Sequence, residues 1–234
     1  PVLKLGGDIW EPYISNHLPA NGLAVKLVSE VLIRAGYQVE VEIMPWLKVS
    51  TGLASGDVDI SIASWFNETR AKEMQFTQPY LDNELVIVKR KSDDFSFDSA
   101  QSFKTNLKNR EYKLGIFKDY GYGEFFNEIA PYTSINYFKF CTSMLRDIAT
   151  GKIDIALIDR WTAEKNLLLQ QNVAEHLAII PTTVITKPLH TAISGKRKDR
   201  KDIAANFNKT LKEMRADGSY DKILMQYNYQ KSSN

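Results

Sequence analysis

LASGDVDISI at residues 53–62 and IATGKIDIAL at residues 148–157 are the stretches that decide the fold we expect for this chain. Each is typical of a helix end, then a glycine, an aspartate and an alternating apolar strand. The glycines, Gly56 and Gly151, stand where a left-handed residue often ends a helix. The two stretches keep one offset of 95 residues throughout. Such units are common, so chance similarity is the alternative, and we favour two similar α/β lobes.

The ends of these two strands predict where a ligand binds. The first strand ends at Ser64 and Trp65, and the second at Asp159 and Arg160. In open α/β sheets, ligands bind beyond the carboxyl ends of the strands. If the lobes face each other, these ends line one cleft, and clefts between domains are favoured ligand sites.

The rest of the chain supports an alternation of helices and strands. Apolar residues recur at helical spacing over 23–35, and residues 39–43 alternate as a half-buried strand. Residues 85–88 form a continuous apolar run, as in a buried strand. Two polar segments, 89–110 and 181–188, interrupt the pattern, and we interpret them as crossings between the lobes.

Composition excludes several classes of protein. The chain has 234 residues, with 44% hydrophobic and 25% charged residues, which is ordinary for a globular protein of one large or two small domains. Its net charge of +2 is small for a nucleic-acid binder. It contains no apolar run of the ~18 residues that a membrane span needs. Because it begins with Pro1 and enters a strand-like run at once, we expect that a leader was removed, by processing or by design of the expressed chain.

The cysteine and histidine residues of the chain give little indication of metal binding or redox chemistry. The single cysteine, Cys141, excludes an internal disulfide framework and a cysteine-rich metal site. It lies at a helix start, which can lower a thiol pKa, but we favour a lone buried thiol. The histidines, His17, His176 and His190, are scattered, with no two at ligand spacing. We expect no metal and no cofactor.

One pair of motifs resembles a known family. Residues 67–70 (Asn-Glu-Thr-Arg) followed by residues 76–80 (Phe-Thr-Gln-Pro-Tyr) resemble the T-x-x-R … F-S-x-P-Y signature of family 3 periplasmic solute-binding proteins, the amino-acid receptors of ABC importers. Further pieces match in order along nearly the whole chain: Asp8…Pro12-Tyr13, Gly22…Leu27, Leu53-x-x-Gly56-x-x-Asp59, Leu114-Gly115-Ile116, Gly151-x-x-Asp154…Asp159 and Asp217-Gly218-Ser219-Tyr220.

The resemblance implies a two-lobed α/β periplasmic-binding-protein (type II) fold with two hinge crossings. Lobe one would be residues 1–89 with 187–234, and lobe two residues 90–186. The lobes of such proteins close on a ligand by hinge motion. The implied protein is a monomeric periplasmic receptor that delivers an amino acid, or a similar small amine or carboxylate, to an ABC permease. Two alternatives stay open: the ligand-sensing domain of a membrane signalling protein, and an enzyme of the cyclohexadienyl-dehydratase type.

The resemblance also implies ligand-binding residues and no catalytic ones. The predicted ligand-binding residues are Trp10, Tyr13, Trp46, Ser64, Trp65, Arg70, Tyr120, Gly121 and Asp159. Arg70 matches the arginine that grips the ligand's α-carboxylate, and Asp159 the acid that takes the α-ammonium. A guanidinium fork fits a carboxylate in two places and stays charged. For Asp159, the alternative is a helix N-cap, and both roles can hold together.

Four aromatic residues of this set would stack a ligand side chain, although packing in the core is the commoner use of aromatic residues: Trp10, Tyr13, Trp46 and Trp65. Ser64 and Trp65 stand where the family offers a hydroxyl and a backbone N–H to the carboxylate. The chain departs from the pattern in two places. Trp65 and Ala63 replace hydroxyl-bearing residues, and residues 119–121 (Asp-Tyr-Gly) stand where relatives have Gly-Thr. Asp119 would repel a carboxylate there, unless it caps the helix that follows Gly123.

Together these residues predict a class of ligand. Asp159, with Asp119 and Glu11, would make the pocket acidic on one side, while Arg70 supplies one positive group. An amino acid with a cationic or aromatic side chain fits this set better than glutamate or aspartate. A dehydratase would need a general acid placed against a leaving group, and no spacing singles out a pair of acids.

Overall fold

The computed structural model describes residues 2–118 and 120–229, so the prediction made for Asp119 lies outside the described residues. The chain divides into two compact units, one of Pro1–Asp82 with Pro188–Asn234 and one of Asn83–Lys187. The sequence predicted lobe boundaries after residues 89 and 186. These positions lie in the strands Leu81–Arg90 and Ile185–Ser194, the same two strands in which the structure divides the units.

In chain order the elements are β1 (Val2–Gly7), α1 (Leu23–Arg34), β2 (Gln38–Ile43), α2 (Trp46–Ser55), β3 (Ile60–Trp65), α3 (Glu68–Ala71), β4 (Met74–Phe76), β5 (Leu81–Arg90), α4 (Ala100–Asn109), β6 (Tyr112–Phe117), α5 (Glu124–Ile129), β7 (Thr133–Phe138), α6 (Cys141–Ala149), β8 (Ile155–Asp159), α7 (Arg160–Leu169), α8 (Gln171–Ala174), β9 (Leu177–Ile179), β10 (Ile185–Ser194), α9 (Arg200–Ala216) and α10 (Ser219–Gln226). Short 3-10 turns lie at Pro19–Asn21 and Ala130–Tyr132.

In the first unit, β1 lies between β2 and β3 and is parallel to both. Leu3 pairs with Val39, and Leu5 with Ile60. β10 adds to the far side of β3 as an antiparallel strand, and β4 pairs with β10. The helix predicted over 23–35 is confirmed as α1, which buries its apolar stripe and packs against α9 and α10. The carboxyl ends of β1 and β3 therefore share one edge of this sheet.

The second unit repeats this arrangement. β6 lies between β7 and β8 and is parallel to both, with Leu114 paired to Ile155. β5 joins the far side of β8 as an antiparallel strand, so that Leu85 pairs with Asp159, and β9 pairs with β5. The predicted buried strand over 85–88 is confirmed within β5. Apolar side chains of α6 and β8 form the core on one face of this sheet.

The repeated element of the first unit is held by its glycine and its aspartate. Gly56 ends α2 with a left-handed φ of 94°, which a residue with a Cβ adopts only with strain. Asp59 then accepts a hydrogen bond from the backbone N–H of Lys4, at 2.8 Å, and another from Arg197, at 2.8 Å. One carboxylate thus ties the start of β3 to the start of β1 and to the segment after β10.

The second unit uses the same device. Gly151 follows α6 with a φ of 76°. Asp154 accepts from the backbone N–H of Lys113, at 3.0 Å, and from Arg90, at 2.9 Å. The backbone of this aspartate also returns a hydrogen bond to the carbonyl of Lys113, as Asp59 does to Lys4. The sequence similarity of the two stretches is therefore matched by equivalent structure in both units.

Among the described residues, no helix has the length and apolar character needed to cross a membrane. Within the same residues, no cluster of three or more His, Cys, Asp or Glu side chains has the arrangement of a metal site.

Candidate functional site

Arg70 lies on α3, just beyond the carboxyl end of β3. Asn67 precedes this short helix and caps it, because its side-chain Oδ1 accepts the backbone N–H of Arg70 at 3.0 Å. An asparagine at this position satisfies a helix donor that would otherwise have no partner. The cap fixes the backbone from which the Arg70 side chain extends.

The guanidinium of Arg70 lies over the ring of Trp46, with 5.0 Å from Cζ to the ring centroid. The side chain is half-buried, and desolvation lowers the pKa of Arg70 from its ordinary value, although a guanidinium remains charged at neutral pH. Over residues 2–118 and 120–229, no carboxylate forms an ion pair with it. A half-buried cation without a protein counter-ion is suited to receive an anionic group.

Trp46 is held in place by Asp8, a contact that the sequence analysis missed. Trp46 is the first residue of α2, and its backbone N–H donates to Asp8 Oδ2 at 2.9 Å. The other carboxylate oxygen of Asp8 accepts from Ile9 N–H at 2.7 Å. A carboxylate at a helix N-terminus is also favoured by the helix dipole. Asp8 is part of the family motif, but no sequence pattern indicates that its side chain contacts Trp46.

Three further aromatic residues predicted for the site come together in the first unit. The Trp10 ring lies 4.8 Å from that of Tyr13 and 5.9 Å from that of Trp65, between centroids, the latter edge-to-face. Tyr13 and Trp65 are buried, whereas Trp10 is half-buried. Trp10 is therefore the most accessible ring of the three, with the other two packed against it.

Ser64 lies in the interior at the end of β3. Its hydroxyl is 2.7 Å from the hydroxyl of Ser61, and both side chains are buried. Ser61 Oγ also accepts the N–H of Ala192, at 3.3 Å. The two serines thus form a polar pair that joins β3 to β10.

In the second unit, Asp159 ends β8 and caps α7. Its Oδ1 accepts the backbone N–H of Thr162 at 2.9 Å, so the helix-cap role weighed from the sequence is confirmed. Its Oδ2 accepts from the side chain of Asn83 at 3.2 Å. Only 4% of the residue is exposed. An ionised carboxylate has about four acceptor sites, so contact with a ligand is compatible with the cap and remains a prediction.

Tyr120 and Gly121 lie in the loop between β6 and α5. The Tyr120 ring stacks on Phe117, with centroids 4.9 Å apart, and on Tyr122 at 6.0 Å. The Tyr122 hydroxyl accepts the N–H of Phe117 at 3.0 Å, and burial raises the pKa of Tyr122 well above its ordinary value. A cavity of about 400 Å³ opens here. Its lining residues are Ile116, Phe117, Tyr120, Gly121, Tyr122, Gly123, Glu124, Phe126, Asn127 and Tyr137.

Glu11, one of the possible acids, and Cys141, the single thiol, have different surroundings. Glu11 accepts a 2.6 Å hydrogen bond from Ser15. Cys141 is buried, and burial, with a smaller contribution from Asp159, raises its pKa to about 12. The expected burial of Cys141 is confirmed, and its raised pKa favours the protonated thiol, a weaker nucleophile than the thiolate.

Comparison with known proteins gives the family to which the chain belongs. Residues 8–230 match the family described as bacterial extracellular solute-binding proteins, family 3, and the chain belongs to this family. The resemblance stated from its motifs is thereby confirmed, and the protein is a solute-binding protein.

Individual relatives fit this assignment. The chain is 37% identical to the lysine/arginine/ornithine-binding periplasmic protein of Escherichia coli over 84 residues, which is 35% of this chain and 32% of that protein. It is 24% identical to the histidine-binding periplasmic protein of Salmonella typhimurium over 233 residues, which is 96% of this chain and 86% of that protein. The structure of an ancestral arginine-binding protein bound to arginine superposes with a TM-score of 0.76 at 24% identity. The superposition covers 96% of this chain and 97% of that protein. The predicted type II periplasmic-binding-protein fold is confirmed.

Proposed function

We propose that this chain is a periplasmic receptor for an amino acid with a cationic side chain, and that it delivers this ligand to an ABC permease. The observation that carries the proposal is Arg70, a half-buried guanidinium on the face of Trp46 with no acidic partner among the described residues. The named ligands of the two relatives, lysine, arginine, ornithine and histidine, support the ligand class.

Arg70 binds the ligand's α-carboxylate. A planar fork of N–H groups makes two parallel hydrogen bonds to a carboxylate, and such charge-assisted pairs are the strong ones. The Asn67 cap and the Trp46 ring limit the positions that the guanidinium can take. Little side-chain entropy is then lost on binding, which favours affinity. Ser64 and Trp65 lie at the end of the adjacent strand and support this part of the site.

Asp159 binds the α-ammonium. Its carboxylate is ordered by the N-terminus of α7 and by Asn83, so it is oriented before a ligand arrives. A buried carboxylate is stabilised when a cation with hydrogen-bond donors pairs with it. The Tyr120–Gly121 loop, at the edge of the same sheet, completes the binding residues of the second unit.

The aromatic residues select the ligand's side chain. Trp10 and Trp46 present partly exposed rings, and a cation over such a face gains up to about 2 kcal/mol when desolvated. A second carboxylate, as in glutamate, gains nothing from ring faces. We propose no catalytic role and no cofactor, and we expect the receptor to act as a monomer.

Calorimetric titration with L-arginine, L-lysine, L-ornithine, L-histidine, L-glutamate and succinate tests this function. We expect the cationic amino acids to bind and the dicarboxylates to compete poorly. If glutamate or succinate displaces arginine, the assignment of ligand class is wrong. If no compound of the set binds, the amino-acid receptor function itself is contradicted.

A further inference from the structure

Asn83, which is not among the ligand-binding residues predicted from the sequence, is a polar side chain in the interior. It lies on β5 in the second unit and is 0% exposed. Buried amides are almost always hydrogen-bonded, since an unpaired one costs free energy. β5 runs antiparallel to β8, with Leu85 opposite Asp159. This register brings the Asn83 amide nitrogen to 3.2 Å from Asp159 Oδ2.

The Asp159 carboxylate is therefore held at both oxygens by different parts of the unit. Thr162 N–H, from the first turn of α7, donates to Oδ1 at 2.9 Å, while Asn83 donates to Oδ2. The carboxylate cannot turn about its Cβ–Cγ bond without losing at least one of these bonds. Asn83, together with Thr162, thus fixes the orientation of the Asp159 carboxylate.

The next residue along β5 makes a second connection of the same kind. Arg160 donates from Nε to Glu84 Oε2 at 2.9 Å, and Thr183 donates to the same oxygen at 3.1 Å. Consecutive residues of β5 are thus bonded to the consecutive residues Asp159 and Arg160. The second connection limits sliding of β5 along β8, so the Asn83–Asp159 distance is well defined.

We propose that Asn83 is a positioning residue that orients Asp159 towards the ammonium group of the ligand. The proposal rests on the ligand role given above to Asp159. It assigns Asn83 to selection of ligands that carry an α-amino group over those that lack it, without contact between Asn83 and the ligand.

Two affinities measured on the same variant test this role. Asn83→Leu keeps the branched shape of the side chain and removes the donor, and Asn83→Ala is used instead if the larger leucine prevents folding. The probes are L-arginine and its des-amino analogue, δ-guanidinovalerate. We expect the affinity for arginine to fall about tenfold, as for loss of a hydrogen bond to a charged group, and the affinity for the analogue to stay unchanged.

The matched control is Asn166→Leu. Asn166 is also a buried asparagine of this unit, and its amide donates to the carbonyl of Thr162 at 2.8 Å, with no bond to the Asp159 carboxylate. This control should leave the ratio of the two affinities as in the wild type. A fall of both affinities together in the Asn83 variant, or of neither, overturns the positioning role.

A measurement without ligand separates this proposal from the proposed function. Carboxyl-carbon NMR titration of Asp159 should show a higher pKa in Asn83→Leu than in the wild type, because a hydrogen bond to the ionised form is lost. An unchanged titration curve overturns the positioning role even when the wild type binds arginine. A raised pKa in a protein that binds no amino acid supports the orientation of Asp159 by Asn83 and contradicts only the receptor function.

Discussion

The helix–glycine–strand elements of the two units have the same backbone arrangement, but they differ in some side chains at equivalent positions. At the constant offset of 95 residues, Asp59 corresponds to Asp154, and both tie their strand to the next strand and to an arginine. At the same offset Trp46 corresponds to Cys141, the first residue of α2 and of α6. The aspartate that holds the backbone is thus present in both units, whereas the residue that begins the helix differs between them.

The strand ends differ in charge as well. Ser64, at the end of β3, corresponds to Asp159, at the end of β8. In the first unit, Arg70 on the helix that follows β3 carries a positive charge, while in the second unit Asp159 at the end of β8 is a carboxylate. Equivalent frameworks thus offer opposite charges at the ends of their strands.

The largest effect is expected from removing the cation of the first unit. Arg70→Ala should weaken arginine binding by about 2–5 kcal/mol, because the ligand carboxylate loses its charged partner. Calorimetry measures this directly. Arg34→Ala is the control, since Arg34, the last residue of α1, pairs with Asp217 on an exposed surface. Equal affinities in the wild type and Arg70→Ala would exclude Arg70 from the site.

The paired aspartates test whether the two frameworks are equivalent. Asp59→Ala and Asp154→Ala should each lower the free energy of unfolding by about 1–3 kcal/mol, because a partly buried arginine and a backbone N–H lose an acceptor. The cost should be larger for Asp59, whose side chain is 13% exposed against 27% for Asp154. Urea unfolding of both variants measures the difference. Equal costs, or a larger cost for Asp154, would contradict the ranking by burial.

The paired glycines sharpen the comparison further. Alanine at Gly56 or Gly151 should cost about 1–2 kcal/mol of stability, since both have left-handed φ angles. Gly56→Ala should cost more, because its Cβ would lie 3.2 Å from Lys196 Cβ, while at Gly151 the nearest atom is 4.0 Å away. Gly36→Ala is a control with a left-handed φ and no neighbour within 4 Å. A cost for Gly56→Ala no greater than that of this control would rule out the contact with Lys196.

The last effect concerns Cys141, the counterpart of Trp46, and is confined to alkaline pH. Its pKa is raised from 9.0 to about 12 by burial, so the folded chain keeps the thiol proton after the unfolded chain has lost it. Stability from this group is complete below pH ~9 and falls as pH rises towards ~12, by at most about 1.4 kcal/mol per pH unit. Urea unfolding between pH 8 and pH ~10.5 should show a steeper loss in the wild type than in Cys141→Ala. Parallel losses would indicate that the thiol has no raised pKa.

Sequence patterns anticipated the framework because it depends on local rules. A glycine after an apolar helical stripe needs a left-handed φ, and an alternating strand needs one buried face, so Gly56, Gly151 and the strands after them are visible in the chain. The motif around Arg70 gave the family, and the family gave the fold. The predicted ligand roles of Arg70, Asp159 and the aromatic residues remain to be tested by binding.

Side-chain partners far apart in the sequence could not be found in this way. Asp8 reaches the N-terminus of α2, and Asn83 reaches Asp159, only because strand order and register bring them together. Many polar residues in the chain could have served as those partners, and no periodicity distinguishes the correct one. The sequence by itself determined the repeated α/β elements and the residue types at the strand ends. The tertiary structure alone decided which groups hold them, since hydrogen bonds need a precise distance and direction that a linear pattern does not contain.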